Sequence, residues 1–204
     1  MQYRRFGKTN LQLSIFSLGT MRCLASAEVM RSVLAAAVAR GINHIETARG
    51  YGQSEALIGQ ALQAGIGKPR EALILTTKLT PTDADSVERQ LDDSLARLGI
   101  DYIDCLAIHG INTPEHLAQV RSGMLSAISR LTHDGRVRHV GFSTHGSLDL
   151  ILAAIATDAF AFINLHYYYF FQRNLPAVEL AHQKDMGVFI ISPGDSGAHR
   201  SLSV

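Results

Sequence analysis

The chain has 204 residues, 47% of them hydrophobic, which is enough for one sizeable core and short for two ordinary α/β domains, so a single domain over 1–204 is expected. A formal net charge of +1, with Lys and Arg spread along the chain, gives no basic field for a nucleic acid. The polar opening MQYRRFGKTN is unlike a signal peptide and no window is apolar for the length of a bilayer crossing, so a cytoplasmic protein with no membrane partner is expected.

The predicted elements begin with a short hairpin, QYRRF and LQLSI around the turn residues GKTN. Short apolar runs then alternate with longer helical patterns. Strands are predicted at 15–19 (IFSLG), 42–46 (INHIE), 72–78 (ALILTTK), 102–109 (YIDCLAIH), 137–143 (VRHVGFS), 160–167 (FAFINLHY) and 187–192 (GVFIIS). Several are apolar almost throughout, as in strands covered on both faces. The first intervening helix opens at Ser26, carries Val29, Val33, Leu34, Ala37 and Val38 on one face, and stops before Gly41. The second carries Leu57, Ile58, Ala61 and Leu62 ahead of Gly65, and the third Val87, Leu91, Leu95 and Leu98 ahead of Gly99. Thr113 and Pro114 read as an N-cap and first helical residue, and Ser147 caps a later helix with the stripe Leu150, Ile151, Ala154 and Ile155.

Strand and helix in unbroken succession mean a parallel sheet, open and doubly wound or closed as a (β/α)8 barrel. Two observations favour the barrel. The position after the first parallel strand reads SLGTMRC, without the GxGxxG of a dinucleotide-binding open sheet. Polar residues also fall at the C-terminal ends of nearly every strand, where a barrel assembles its site: Glu46 and Tyr51, Lys78, His109, Ser143 and His145, Asn164 and His166.

That collection has a chemistry. An ammonium group beside a phenol favours the ionised phenol and makes it a readier proton donor; Lys78 is the candidate ammonium and Tyr51 the candidate phenol. A lysine at the end of a buried strand is costly unless paired, and Glu46 on the neighbouring strand is the partner. His109 could donate a hydrogen bond to a substrate oxygen and turn a carbonyl toward the tyrosine. Each of these residues alone also fits a structural role. Their coincidence at one barrel mouth points to protonation of an oxygen while a hydride reaches its carbon.

The chain resembles the aldo-keto reductase family, in a bacterial branch. The resemblance rests on GINHIETARGYGQSE, on Lys78 ending LILTTK, on DYIDCLAIH ending in His109, and on GRVRHVGFS leading to Ser143. It implies NADPH-dependent reduction of a small aldehyde or ketone on a (β/α)8 barrel. By motif, Tyr51 would be the general acid, Lys78 and Glu46 would tune it, and His109 would orient the carbonyl. Ser143 and Asn164 match positions that hold the nicotinamide carboxamide, and Ser192 is a further expected cofactor contact. The family's usual aspartate is Glu46 here, its usual glutamine on strand six is Asn164, its Ser-Asn is Ser143-Thr144, and an aromatic of strand seven is Ile191.

Barrels of this type run to about 250 residues. Counting units gives about seven strands and six helices by residue 192, and the remaining PGDSGAHRSLSV is polar and small, so the last helix-strand-helix is expected to be missing. The resulting open edge is expected to favour self-association. Three rivals come from other classes. A catalytically silent, partner-binding remnant is one. A hydrolase with a metal held by His109, His145 and His166 is another, opposed by the lack of a His-x-His after strand one and of a late aspartate. A Schiff-base aldolase using Lys78 is opposed by Glu46, which would keep the amine protonated. No metal is expected, and Cys23 and Cys105, without CxxC spacing, read as buried or idle thiols.

Overall fold

A computed structural model describes residues 1–193. It opens with an antiparallel hairpin, β1 (Tyr3–Arg5) and β2 (Gln12–Ser14). Seven parallel strands follow: β3 (Leu18–Gly19), β4 (His44–Glu46), β5 (Ile74–Leu79), β6 (Ile103–Ile108), β7 (Val137–Ser143), β8 (Phe162–Leu165) and β9 (Gly187–Ile190). Between them run α1 (Ala27–Ala39), α2 (Ser54–Ala64), α3 (Ala84–Leu98), α4 (Pro114–Gln119), α5 (Leu125–His133), α6 (Leu148–Ile155) and α7 (Leu175–Gln183). Helices α4 and α5 are one kinked helix joined through a wide turn at Val120–Met124, where Gly123 leaves helical geometry at φ 175° and ψ −28°. Among the described residues, six barrel helices therefore accompany the seven strands.

Each strand pairs with its neighbour in chain order, so β3 and β9 are the two edges of the sheet among the described residues. The sheet curls. Glu46 on β4 and Asn164 on β8 are separated by three strands, which in a flat sheet would place them roughly 19 Å apart at about 4.8 Å per strand. Their side chains instead hydrogen-bond at 2.8 Å. The described residues thus form seven strands of a (β/α)8-type barrel. Residues 194–204, where the sequence leads one to expect no eighth strand, lie outside the described residues.

The predicted strands all form, and most observed strands fall within the predicted runs; β5 continues one residue further, to Leu79, and β3 keeps only Leu18 and Gly19 of its run. Helix starts agree with the caps read from the sequence. Ser26 accepts the N–H of Val29 at 3.1 Å, Thr113 that of His116 at 3.3 Å, and Ser147 that of Leu150 at 3.4 Å, each satisfying a donor that the first turn leaves free. Asp83 caps α3 in the same way.

The twofold alternation of side chains along a strand sorts residues to two cores. Ile45, Leu75, Leu79, Leu106, Ile108, Ile163 and Leu165 face outward and pack with the helix stripes. Ile74, Cys105, Ala107 and Phe162 face the lumen, where Phe6 and Leu13 of the hairpin join them. Two glycines make room for this floor. A Cβ at Gly141 would lie 2.5 Å from the Phe162 ring, and one at Gly187 would lie 2.6 Å from Phe6. With the floor filled by aromatic rings, the lumen is left for polar groups at the opposite end.

Candidate active site

At that end the same alternation turns Glu46, Lys78 and Asn164 inward, two residues beyond His44, Thr76 and Phe162 on their strands. Lys78 is the hub. Its Nζ pairs with Glu46 Oε1, donates to the Thr47 carbonyl at 3.2 Å, and donates to the Tyr51 hydroxyl at 3.1 Å. Lys78 and Glu46 are both buried, so the pair replaces the water each would otherwise need. Tyr51 enters from the turn ahead of α2, and its ring lies under the ammonium, 4.8 Å from Nζ to centroid.

His109, one residue beyond β6, is held by its own N–H to the Leu79 carbonyl at 2.7 Å. Its ring meets that of Tyr51 edge to face, centroids 5.6 Å apart. Burial, then the charges of Lys78 and His145, push its pKa down to about 4. The ring is therefore neutral at pH 7 and carries one N–H to donate.

Ser143 ends β7 and is paired in register with Asn164. The Ser143 Oγ accepts the Gly110 N–H at 3.1 Å, which leaves the hydroxyl hydrogen to be donated elsewhere. Glu46 Oε2 takes the Asn164 amide N–H at 2.8 Å, so the amide oxygen faces away. That oxygen is buried and has no hydrogen-bond partner. One waiting acceptor beside one waiting donor complements a primary carboxamide, the group that ends a nicotinamide ring. Residues Ser143 and Asn164 thus fit the cofactor that the sequence resemblance implies. Ser192 stands at the same end of the sheet, two residues past β9 and partly buried.

The other histidines at the mouth meet each other. His166 Nε2 and His145 Nδ1 are 2.8 Å apart, a hydrogen bond between rings. Among the described residues no group of three or more His, Cys, Asp or Glu is arranged to hold a metal ion. Thr144 donates its hydroxyl to the Ile111 carbonyl at 2.7 Å and so braces the loop after β6. Cys105 is buried in the lumen floor, where burial pushes its thiol pKa up, and it is not a reactive group there.

Two supporting clusters were not read from the sequence. His44, below Glu46 on β4, bonds Ser17 through Nδ1 and Thr76 through Nε2, both at 2.8 Å. Burial, with the Lys78 charge adding, lowers its pKa to about 3, so a neutral ring underlies the charged pair. Behind β4 and β5, Thr47 bonds Ser54 at 2.8 Å and Thr77 bonds Glu55 at 2.6 Å, fastening the start of α2 just after Tyr51. The available signal was the run of small polar residues, Thr47, Ser54, Thr76 and Thr77, inside otherwise apolar segments.

Comparison with known proteins agrees with this architecture. The family model described as "Aldo/keto reductase family" matches residues 16–202. A 6-dehydroglucose reductase of Novosphingobium aromaticivorans is 38% identical over 100 residues, 46% of this chain and 31% of that protein. An L-galactose dehydrogenase of Arabidopsis thaliana is 32% identical over 96 residues, 44% of this chain and 30% of that protein. The matched segments thus span about a third of the length of these curated relatives. An aldo-keto reductase of Bacillus halodurans in its holo form superposes with a TM-score of 0.82 at 24% identity, covering 93% of this chain and 65% of that one. One from Bombyx mori in complex with NADP gives 0.73 at 24% identity, covering 95% of this chain and 67% of that one. At such identity the structural likeness establishes the fold, and the family match over most of the chain establishes the rest: this chain belongs to the aldo-keto reductase family.

Proposed function

We propose that the chain reduces the carbonyl group of a small aldehyde or ketone with NADPH, with Tyr51 as general acid. The observation that carries this reading is the file of buried Glu46, buried Lys78 and half-buried Tyr51, in which the ammonium is shared between a carboxylate and a phenol. Because Lys78 donates to the Tyr51 oxygen, the phenolic hydrogen is left for the substrate oxygen. Loss of that proton leaves a phenolate beside the ammonium, which stabilises it where water is scarce. Glu46 accepts from the ammonium and holds Lys78 in place. His109, neutral and edge-on to Tyr51, donates its N–H to the same substrate oxygen and so holds the carbonyl within reach of both.

Ser143 and Asn164 would receive the nicotinamide carboxamide, with Ser192 a further contact at the mouth. When bound, NADPH supplies the hydride to the carbonyl carbon. NADP complexed with the Bombyx mori relative, and the reductase and dehydrogenase names of the curated relatives, support the same class of chemistry. A cytoplasmic setting, where NADPH is available, accompanies this proposal. Its test is a fluorescence titration with NADPH, followed by a panel of aldehydes and ketones monitored for NADPH loss and alcohol formation. Cofactor binding with stoichiometric alcohol is expected; failure of NADPH to bind would contradict it.

A further inference from the structure

Glu46 uses its two oxygens on different elements. Oε1 takes the Lys78 ammonium from the adjacent strand, and Oε2 takes the Asn164 amide from β8, on the far side of the lumen. A carboxylate can only accept, so the amide must turn its NH2 toward Glu46. The amide oxygen then points the other way, buried and unpartnered. The bond thus fixes which end of Asn164 faces the remaining space. It also joins residues 118 apart in sequence, across the lumen above its aromatic floor.

We propose that the Glu46–Asn164 bond is a cross-lumen brace that orients the Asn164 amide and couples nicotinamide binding to the Glu46–Lys78 pair. This rests on the cofactor reading above and goes beyond it: Glu46 acts on the cofactor as a positioning residue as well as on the lysine. Without the brace the amide is free to rotate, and half of its orientations present a donor to the carboxamide NH2 instead of an acceptor. Coupling of this kind runs in both directions, so an occupied carboxamide site also holds Glu46 against Lys78.

The geometry supplies an exchange test. Glu46→Asp shortens one side of the brace by a methylene while leaving a carboxylate near Lys78, and Asn164→Gln lengthens the other side by the same amount. NADPH affinity is measured by fluorescence titration for the wild type, E46D, and the double variant E46D/N164Q, with 2′-phospho-ADP-ribose, which lacks the nicotinamide, as the control ligand. Loss of one hydrogen bond predicts that E46D weakens NADPH about tenfold, that the control changes by less than about twofold, and that the double variant recovers most of the loss. If the wild type binds NADPH and E46D leaves its affinity unchanged, or if both ligands weaken equally, the brace has no role in presenting the amide and the inference is overturned while the cofactor reading stands. If the double variant shows no recovery, the inference is likewise overturned. A wild type that binds no NADPH overturns the cofactor reading and this inference with it.

Discussion

The Lys78 ammonium lies 3.1 Å from the Tyr51 hydroxyl while its other contacts, Glu46 and the Thr47 carbonyl, are buried behind it. The lysine is therefore held from one side and offered to the tyrosine from the other. Removing it strands a carboxylate. Lys78→Met should destabilise the protein by about 3–5 kcal/mol, because one partner of a buried pair is lost, and abolish carbonyl reduction. Removing the charge as well, in Glu46→Gln/Lys78→Met, should recover part of that stability. Chemical denaturation of both single variants and the double variant gives the coupling directly. Strictly additive losses would show that the two side chains do not act as a pair.

The histidines set the acid limit of the fold. His44 has a pKa of about 3 in the folded chain against 6.5 for a free histidine, and His109 one of about 4. The unfolded chain takes up these protons first as pH falls. Their contribution to stability is therefore complete above pH 6.5 and is lost progressively as pH falls toward 4 and then 3. Melting temperature should decline through that window, and His44→Gln should shallow the decline. An unchanged acid slope in the variant would assign the loss to other groups. His109 should also contribute no ionisation to the activity profile between about pH 5 and 8.

Among the described residues, the two sheet edges carry apolar groups that are only partly covered. Beside β3, Ile15 and Phe16 are 50% and 67% exposed, and Val188, Phe189 and Ile190 of β9 are only partly buried. We propose that the 204-residue chain self-associates through these edges, since unpaired strands with apolar flanks are templates for pairing. Size-exclusion chromatography coupled to light scattering should show a concentration-dependent mass that Phe16→Lys shifts toward the monomer. A monodisperse monomer at all concentrations would rule this out.

Much of the fold was legible because parallel strands buried on both faces leave a plain record, apolar runs of strand length punctuated by caps such as Ser26 and Ser147. The convergence of the candidate site was legible for a related reason: in a barrel, Lys78, His109 and Ser143 at strand ends must meet at one mouth. What was not legible depends on distance across the barrel. Glu46 and Asn164 each depart from the pattern of the family that the sequence resembles, yet that their side chains meet across the lumen emerges only when the sheet curls. His145 and His166 read as possible metal ligands because strand ends place them near each other, and only geometry shows the rings bonded to one another. The kink at Gly123 had no sequence signal beyond a glycine within a helical pattern. His44 was missed because a histidine in a short apolar strand gives no sign of whether Ser17 and Thr76 will satisfy it.

The central claim is that Tyr51 protonates the substrate oxygen, and the most direct measurement compares carbonyl-dependent NADPH consumption by the wild type and Tyr51→Phe at saturating cofactor. The substitution removes only the hydroxyl, and the ring keeps its place against His109 and under Lys78. General-acid catalysis predicts a fall in turnover on the order of 10²-fold or more with NADPH affinity changed by less than about twofold, whereas turnover within about threefold of the wild type would contradict the account.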